Sequence, residues 1–331
     1  MGRRVLLILL AAAALPAQQK KILVTGLDEA SVQELRSAAP DAAILAATPA
    51  QLESQVVDAD AILGTITPKL VRAGKKLKWV QIYSAGAEGA LSPELRASGI
   101  TLTNCKIIQG PNIADHAMAL LLSLTRGLYQ TIPGRTSEEW TRGRHRLVEL
   151  QGKTAVIIGL GGIGMQIAQR AHAFGMRIIG VDPKDMPYAA FVSRLVPPDR
   201  LDSVLPEADV VFVSAPHTKE SEGMMGPRQF ELMKPNGYFI AVSRGKLYST
   251  EALMKALDSK RLAGAGLDVT DPEPLPKGHA LWKFENVVIT PHTAGGSDLV
   301  QGRRLALLKE NVRRFANGEP LLNVVDKQKG Y

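Results

Sequence analysis

"AVIIGLGGIGMQIAQR", residues 155–170, decides how this chain folds. An apolar run reaches Gly159, two further glycines follow at 161 and 164, and helical apolar spacing begins there. Strand, G-x-G-x-x-G and helix together make the turn that cradles a pyrophosphate in a doubly wound α/β sheet. Gly159 permits the tight turn, Gly161 lets the backbone approach the anion, and Gly164 lets helix pack on strand. The phosphates then face the helix N-terminus. Such a loop usually opens a domain, yet here it starts near the middle of a 331-residue chain.

The first half is explained by working outward. "KKILVTG" (20–26), "AAILAAT" (42–48), "DAILG" (60–64), "LKWVQIYSAG" (77–86) and "ITLTNC" (100–105) are short apolar runs bounded by Gly, Pro or Asp. A helical stretch at 30–40 separates the first two. Alternating strands and helices imply a parallel sheet, here without a glycine loop of its own. "GPNIADHAMALLLSLTRG" (110–127) reads as a buried helix, with Asn112 as its cap, Asp115 answering it and Gly127 ending it. The polar stretch 129–150, with Trp140, is too long for a plain connection.

A second series follows the glycine loop: strands near 153–158, 176–183, 208–216, 237–245, 263–269 and 286–292, then a last helix at 297–317. The tail "LLNVV" is too short to be a domain, so the simplest packing returns it to the first one. The expected architecture is two Rossmann-like doubly wound parallel-sheet domains. Residues 20–111 and 297–331 form a substrate domain, and a nucleotide domain, 112–296, is inserted into it.

Composition agrees with a globular chain: 45% hydrophobic, 22% charged and only 5% aromatic, so the cores must be aliphatic. The net charge of +8 includes Arg3 and Arg4; without residues 1–19, 38 basic residues face 32 acidic ones. No dense basic block marks a nucleic-acid partner, and "TRGRHRLVE" (141–149) reads as a solvated arm. Cys105, the single cysteine, reads as a buried apolar residue, and no metal ligand set is apparent. Residues 1–19 have the order of a secretory signal. Two arginines precede eleven apolar residues, Val5–Leu15, too few to span a bilayer, and then small residues with a cut expected after Ala17. That order implies a periplasmic or secreted product, with no membrane anchor after cleavage. An overextended start, which would leave the protein in the cytoplasm, is the other reading.

Asp182 lies 23 residues after Gly159, near the spacing expected of an acid that binds the adenosine ribose. An acid there accepts a free 2′-hydroxyl and repels a 2′-phosphate, so the expected cofactor is NAD. Ligands in such sheets lie beyond the carboxyl ends of the strands. Arg244 follows "YFIAVS", Asp268 follows "GAGL", Glu273 lies in "TDPEPLP" and His292 follows "NVVITP". One cation, two carboxylates and an imidazole therefore converge on one rim.

The motifs "GLGGIG", "VSRG", "GLDVTDPEPL" and "TPHTAGG", in this order and spacing, resemble those of the D-isomer-specific 2-hydroxyacid dehydrogenases. The likeness covers nearly everything after residue 20. It implies hydride exchange between NAD(H) and a 2-oxo/2-hydroxy acid pair, in a homodimer. Arg244 would hold the substrate's carboxylate and keto oxygen, His292 would carry the proton, and Glu273 would orient the imidazole and favour its protonated form. Backbone N–H groups of Ser84, Ala85 and Gly86 would meet the substrate carboxylate. The cofactor set would be Gly159, Gly161, Gly162, Ile163, Gly164, Asp182, Pro216, Thr218 and Ser243, with Asp268 at the nicotinamide end. Gly162, Ala241 and Asp115 depart from residues common in the family. His116, His145, His172, His217 and His279 carry no second feature and read as structural or surface residues. Two other readings remain open: a non-catalytic NAD-sensing protein of this fold, and a dehydrogenase of another small anion such as phosphite.

Overall fold

A computed structural model describes residues 19–140, 146–184 and 189–331. The expected leader lies outside the described residues but for Gln19, and so does His145. Two parallel sheets dominate. The first has β1 (Lys21–Val24), β2 (Ala43–Ala46), β3 (Ala61–Leu63), β4 (Trp79–Gln81) and β5 (Thr101–Thr103), in the order β2-β1-β3-β4-β5. The second has β6 (Thr154–Ile158), β7 (Arg177–Val181), β8 (Arg194–Val196), β9 (Val210–Val213), β10 (Gly237–Ala241), β11 (Leu262–Leu267) and β12 (Val287–Ile289). Its order is β12-β11-β10-β9-β6-β7-β8, reversing direction at β6, next to the glycine loop.

The helices are α1 (Glu29–Ala38), α2 (Pro49–Gln55), α3 (Pro68–Ala73), α4 (Pro93–Ala97), α5 (Gly110–Thr125), α6 (Leu128–Thr131), α7 (Gly162–Ala173), α8 (Leu201–Val204), α9 (Pro227–Leu232), α10 (Thr250–Asp258) and α11 (Val300–Asn317). Both sheets are covered on both faces, which is why their strands are continuous apolar runs. In β6, Val156 and Ile158 join one core while Ala155 and Ile157 join the opposite one, the alternation a strand imposes. No described helix is long and apolar enough to cross a membrane.

The C-terminal segment packs on the five-stranded sheet. Leu308 and Val312 of α11 enter the core with Ile22, Val24 and Trp79. Buried Asn311 donates to Gln81 Oε1 (2.9 Å) and accepts from Leu322 N (2.8 Å). Gln81 Oε1 also accepts from Thr103 Oγ1 (2.7 Å), whose oxygen takes the Trp79 indole N–H (2.8 Å). This satisfied network fixes α11 against β4 and β5, where an unpaired amide would be costly. Val325 N then bonds Leu102 O (2.8 Å), laying the tail along β5.

The reading of α5 needs one correction. Asn112 does not cap it: the helix begins at Gly110, with Pro111 in its first turn. The Asn112 amide instead donates to Ala294 O (2.9 Å), and its Oδ1 accepts from Arg303 (3.1 Å). Asp115 pairs with Arg170 of α7 (2.6 Å) rather than closing a capping box. α5 packs against α7, β10 and β11, buried as its composition implied. Cys105 is fully buried, and burial pushes its thiol up to about 11.

Candidate active site

The strands of the larger sheet end in register. Val196, Val181, Ile158, Val213, Ala241, Leu267 and Ile289 form one row across it. Each site candidate of this domain follows a member of that row. Asp182 leaves β7, Gly159 leaves β6, Pro216 and Thr218 leave β9, Ser243 and Arg244 leave β10, Asp268 and Glu273 leave β11, and His292 leaves β12. Parallel pairing alone thus brings residues 159 to 292 to one edge.

At β6 the glycines fit a dinucleotide. Gly159 has φ +88°, and a Cβ there would sit 2.6 Å from the Ala215 backbone. A Cβ on Gly164 would lie 1.9 Å from Gly159 O, so strand and helix could not approach as they do. Gly161 faces open space, with nothing within 4 Å of an added Cβ. It is the N-cap of α7 and supplies no side-chain bond. Among the described residues, the N–H groups of Gly162, Ile163 and Gly164 find no protein acceptor. Unfilled donors at a helix N-terminus beside an open backbone are what a pyrophosphate needs. Gly162 has a local reason of its own: a Cβ there would come 3.1 Å from Ile107 Cα in the connection between the lobes. Half-buried Asp182 accepts from Leu160 N (2.8 Å) and Lys184 N (2.9 Å), which aims its carboxylate along the glycine loop. Thr218 and Ser221 bond each other, and Ser221 Oγ donates to Pro216 O (2.7 Å), shaping the β9 exit.

At the other end of the row, His292 Nδ1 donates to Glu273 Oε1 at 2.5 Å. Their side chains are 43% and 39% exposed, so Nε2 is left to face a ligand. His292 has φ +52°, in the left-handed region. Bonds from its N–H to Asp268 O (2.9 Å) and Thr290 O (3.0 Å) hold that uncommon conformation, which costs energy wherever it is not fixed.

Asp268, expected to meet the nicotinamide end, turns inward on the loop that carries His292. Its buried carboxylate accepts from Thr290 Oγ1 (2.7 Å), Thr293 N (2.9 Å) and Ala294 N (3.1 Å). His116 Nε2, from α5, reaches Thr290 Oγ1 (2.8 Å) and lies 3.4 Å from Asp268 Oδ1. His116 therefore braces the loop that carries His292, a contact its sequence context did not reveal. Of the other histidines, His217 pairs with Glu222 (3.2 Å) and His279 caps the short turn at Leu281.

The lobes meet at Arg244. A Cβ on Gly86 would lie 2.0 Å from Arg244 Nη2, so the guanidinium rests directly on the loop containing Ser84, Ala85 and Gly86. That loop is braced by Ser84 Oγ to Gly86 O (2.6 Å), Asn104 Nδ2 to Ala85 O (2.6 Å) and Cys105 N to Ser84 O (2.9 Å). Its own N–H groups at 84, 85 and 86 donate to no acceptor among the described residues. A guanidinium fork and free amides facing one gap suit a carboxylate. Arg244 also donates to Ser243 O (2.7 Å) and lies 3.3 Å from Glu88 Oε1. Both charges of that pair are about one-third exposed, so it is worth at most ~1 kcal/mol of stability and acts by orienting the arginine. Glu88 was not foreseen, since nothing in the sequence links positions 88 and 244. Among the described residues no cluster of His, Cys, Asp or Glu is placed to hold a metal ion.

Comparison with known proteins agrees with this fold. Residues 118–294 match the model of the D-isomer specific 2-hydroxyacid dehydrogenase, NAD binding domain. The chain is 35% identical to a glyoxylate reductase of Thermococcus litoralis, covering 83% of this chain and 86% of that protein. It is 31% identical to a D-3-phosphoglycerate dehydrogenase of Methanocaldococcus jannaschii, covering 92% of this chain but spanning only 59% of that longer protein. The crystal structure of an NADPH-dependent glyoxylate/hydroxypyruvate reductase from Sinorhizobium meliloti, in complex with NADP and sulfate, superposes with a TM-score of 0.79 at 25% identity. That match covers 95% of this chain and 100% of the other.

Proposed function

Since the chain belongs to the D-isomer-specific 2-hydroxyacid dehydrogenase family, we propose that it reduces a short 2-oxo acid to the D-2-hydroxy acid, and runs the reverse, with NAD(H). The observation that carries this is the convergence of Arg244, from one lobe, with the free amides of residues 84–86, from the other. A bound nicotinamide supplies or takes the hydride. The protein's part is positioning and proton transfer. Arg244 and the loop amides hold the carboxylate and draw the keto oxygen toward the cation. His292, with Nδ1 committed to Glu273, gives its Nε2 proton to that oxygen during reduction and recovers it during oxidation. Asp268, Thr290 and His116 keep the His292 loop in place and act as positioning residues.

Glyoxylate and hydroxypyruvate are the favoured substrates. Glu88 already stands against the cation, so a second anionic group on the substrate, as in phosphohydroxypyruvate, would meet repulsion. The intact Glu273–His292 pair supports catalysis over a purely nucleotide-sensing role. The test is NADH oxidation against glyoxylate, hydroxypyruvate, pyruvate, phosphohydroxypyruvate and phosphite. His292→Asn should lower turnover by roughly two to four orders of magnitude while NADH affinity holds. Arg244→Ala should lose turnover and substrate affinity together. Near-wild-type rates in either variant would overturn the assignment.

The same reading includes a C2 homodimer and export. Leu128, Ile132, Trp140 and Leu147 are exposed along the segment after α5, with Trp140 at 92%, an apolar surface suited to a second copy. A monomeric mass at micromolar concentration, with activity intact, would overturn the dimer. Sequencing the N-terminus of the protein recovered from its host decides whether residues 1–19 are removed.

A further inference from the structure

Residues 326–331 are fastened to the five-stranded lobe. Lys327 Nζ donates to three carbonyls around the end of α4, Leu95 (3.0 Å), Ser98 (2.6 Å) and Ile100 (2.9 Å). Arg96 bonds the Lys327 carbonyl. Asp326 Oδ1 accepts from Gln328 N (2.9 Å) and Lys329 N (3.1 Å), and Gly330 N returns to Asp326 O (2.7 Å) with φ +88°. Asp326 N closes the loop on Tyr331 O (3.1 Å).

The Tyr331 ring nevertheless reaches the other lobe. Lys184 Nζ lies 4.6 Å from its centroid. Lys184 is two residues past Asp182, and its own N–H bonds the Asp182 carboxylate (2.9 Å). Burial, together with the carboxylates of Asp182, Asp326 and Glu220, raises the Tyr331 hydroxyl above its ordinary range. Glu220 belongs to the loop after β9, beside Thr218. The ring thus stands near the exit of β7. Among the described residues no ring or cation other than Lys184 stacks on it.

That location has a chemical meaning. If Asp182 takes the adenosine ribose, the base attached to the same ribose must lie within one ring's width of it, by the β7 exit. The tail is anchored by Lys327 without help from the Tyr331 ring, so an aromatic carried across the boundary is free to serve a ligand. We propose that Tyr331, brought by the substrate-lobe tail, forms the outer wall of the adenosine subsite, with Lys184 behind it. The inference rests on the dinucleotide reading of the glycine loop. It adds a contact between the lobes made through the nucleotide's adenosine half, remote from the reacting centre.

The experiment titrates the full-length wild type, Tyr331→Ala and Tyr331→Phe with 5′-AMP, ADP-ribose and reduced nicotinamide mononucleotide, by calorimetry. Tyr331→Ala should weaken AMP and ADP-ribose by roughly five- to twentyfold, the span of one aromatic–base stack. Tyr331→Phe should keep wild-type affinity, and the mononucleotide should bind all three proteins alike. Unchanged or tighter AMP binding in Tyr331→Ala would overturn the proposal while leaving the cofactor reading intact. A wild type that binds neither AMP nor ADP-ribose would overturn that reading and this inference with it.

Discussion

Both sheets begin with the same unit, a strand, a turn containing glycine and a helix, but the two turns end differently. After β1, Gly26 turns the chain with φ +71°, and Asp28 caps α1 by accepting from Ser31 N at 2.7 Å. After β6, Gly159 turns the chain in the same left-handed sense, but the cap of α7 is Gly161, which has no side chain to offer. The first helix satisfies its own N-terminus with a carboxylate; the second leaves its donors for an anion from outside. One architecture therefore gives a scaffold in one lobe and a phosphate cradle in the other. The difference lies in a single capping residue and the space around it.

Supplying the missing carboxylate is the strongest way to break this contrast. Gly161 has φ −67° and nothing within 4 Å of an added Cβ, so Gly161→Asp fits without strain. Its side chain would do for α7 what Asp28 does for α1, while repelling a pyrophosphate. NADH affinity, read by fluorescence titration, should fall by roughly two to three orders of magnitude, with the thermal midpoint held or raised. Wild-type affinity in this variant would show that the phosphates do not sit on α7.

The same contrast explains what could be read from the sequence. Turn, spacing and strand ends are local signals, so the two-sheet architecture and the row from Gly159 to His292 were visible without coordinates. Contacts between distant segments were not. Asn112 looked like a cap because its side chain suits one, but Pro111 had already started the helix, and the amide was taken by Ala294. Asp268 lies at a strand end like its neighbours, and only the fold of residues 290–294 shows that its carboxylate faces inward. Strand β8 was missed because it is three residues long, at the sheet edge and only partly buried, so no apolar run marks it. Glu88 and Tyr331 act across the lobe boundary, where sequence periodicity carries no information. Helix α10, by contrast, was legible in principle from its Ser249 cap and amphipathic spacing.

A change of intermediate size sharpens the cradle's selectivity. Asp182 accepts from Leu160 N and Lys184 N beside the glycine loop, and on the proposed reading its carboxylate meets the adenosine ribose. The wild type should use NADH more efficiently than NADPH, and Asp182→Ala should narrow the ratio by roughly tenfold. Removing the Asp182 carboxylate leaves Lys184 as a nearby cation. Steady-state kinetics with both cofactors checks this, and equal use of both by the wild type would overturn the ribose role.

The smallest effect comes from the scaffold side. If Asp28 only completes α1, Asp28→Ala should lower the thermal midpoint by roughly 1–4 °C and leave NADH affinity and turnover unchanged. Asp28→Asn, which can accept the same bond, should fall between the alanine variant and the wild type. Bonds from Ser31 hold the Asp28 carboxyl below its ordinary value of 3.8, so the ionised side chain is favoured in the folded state. The sign follows directly: this stabilisation is present above that value and is lost as the pH falls through the lower, folded one. The gap between wild type and Asp28→Asn should therefore close in acid, while the gap to Asp28→Ala should shrink without vanishing, because a protonated carboxyl can still accept from Ser31 N. A pH series of thermal melts reads both gaps. Loss of NADH binding in Asp28→Ala would show that the first lobe's helix terminus also serves the nucleotide, and the contrast between the two turns would fail.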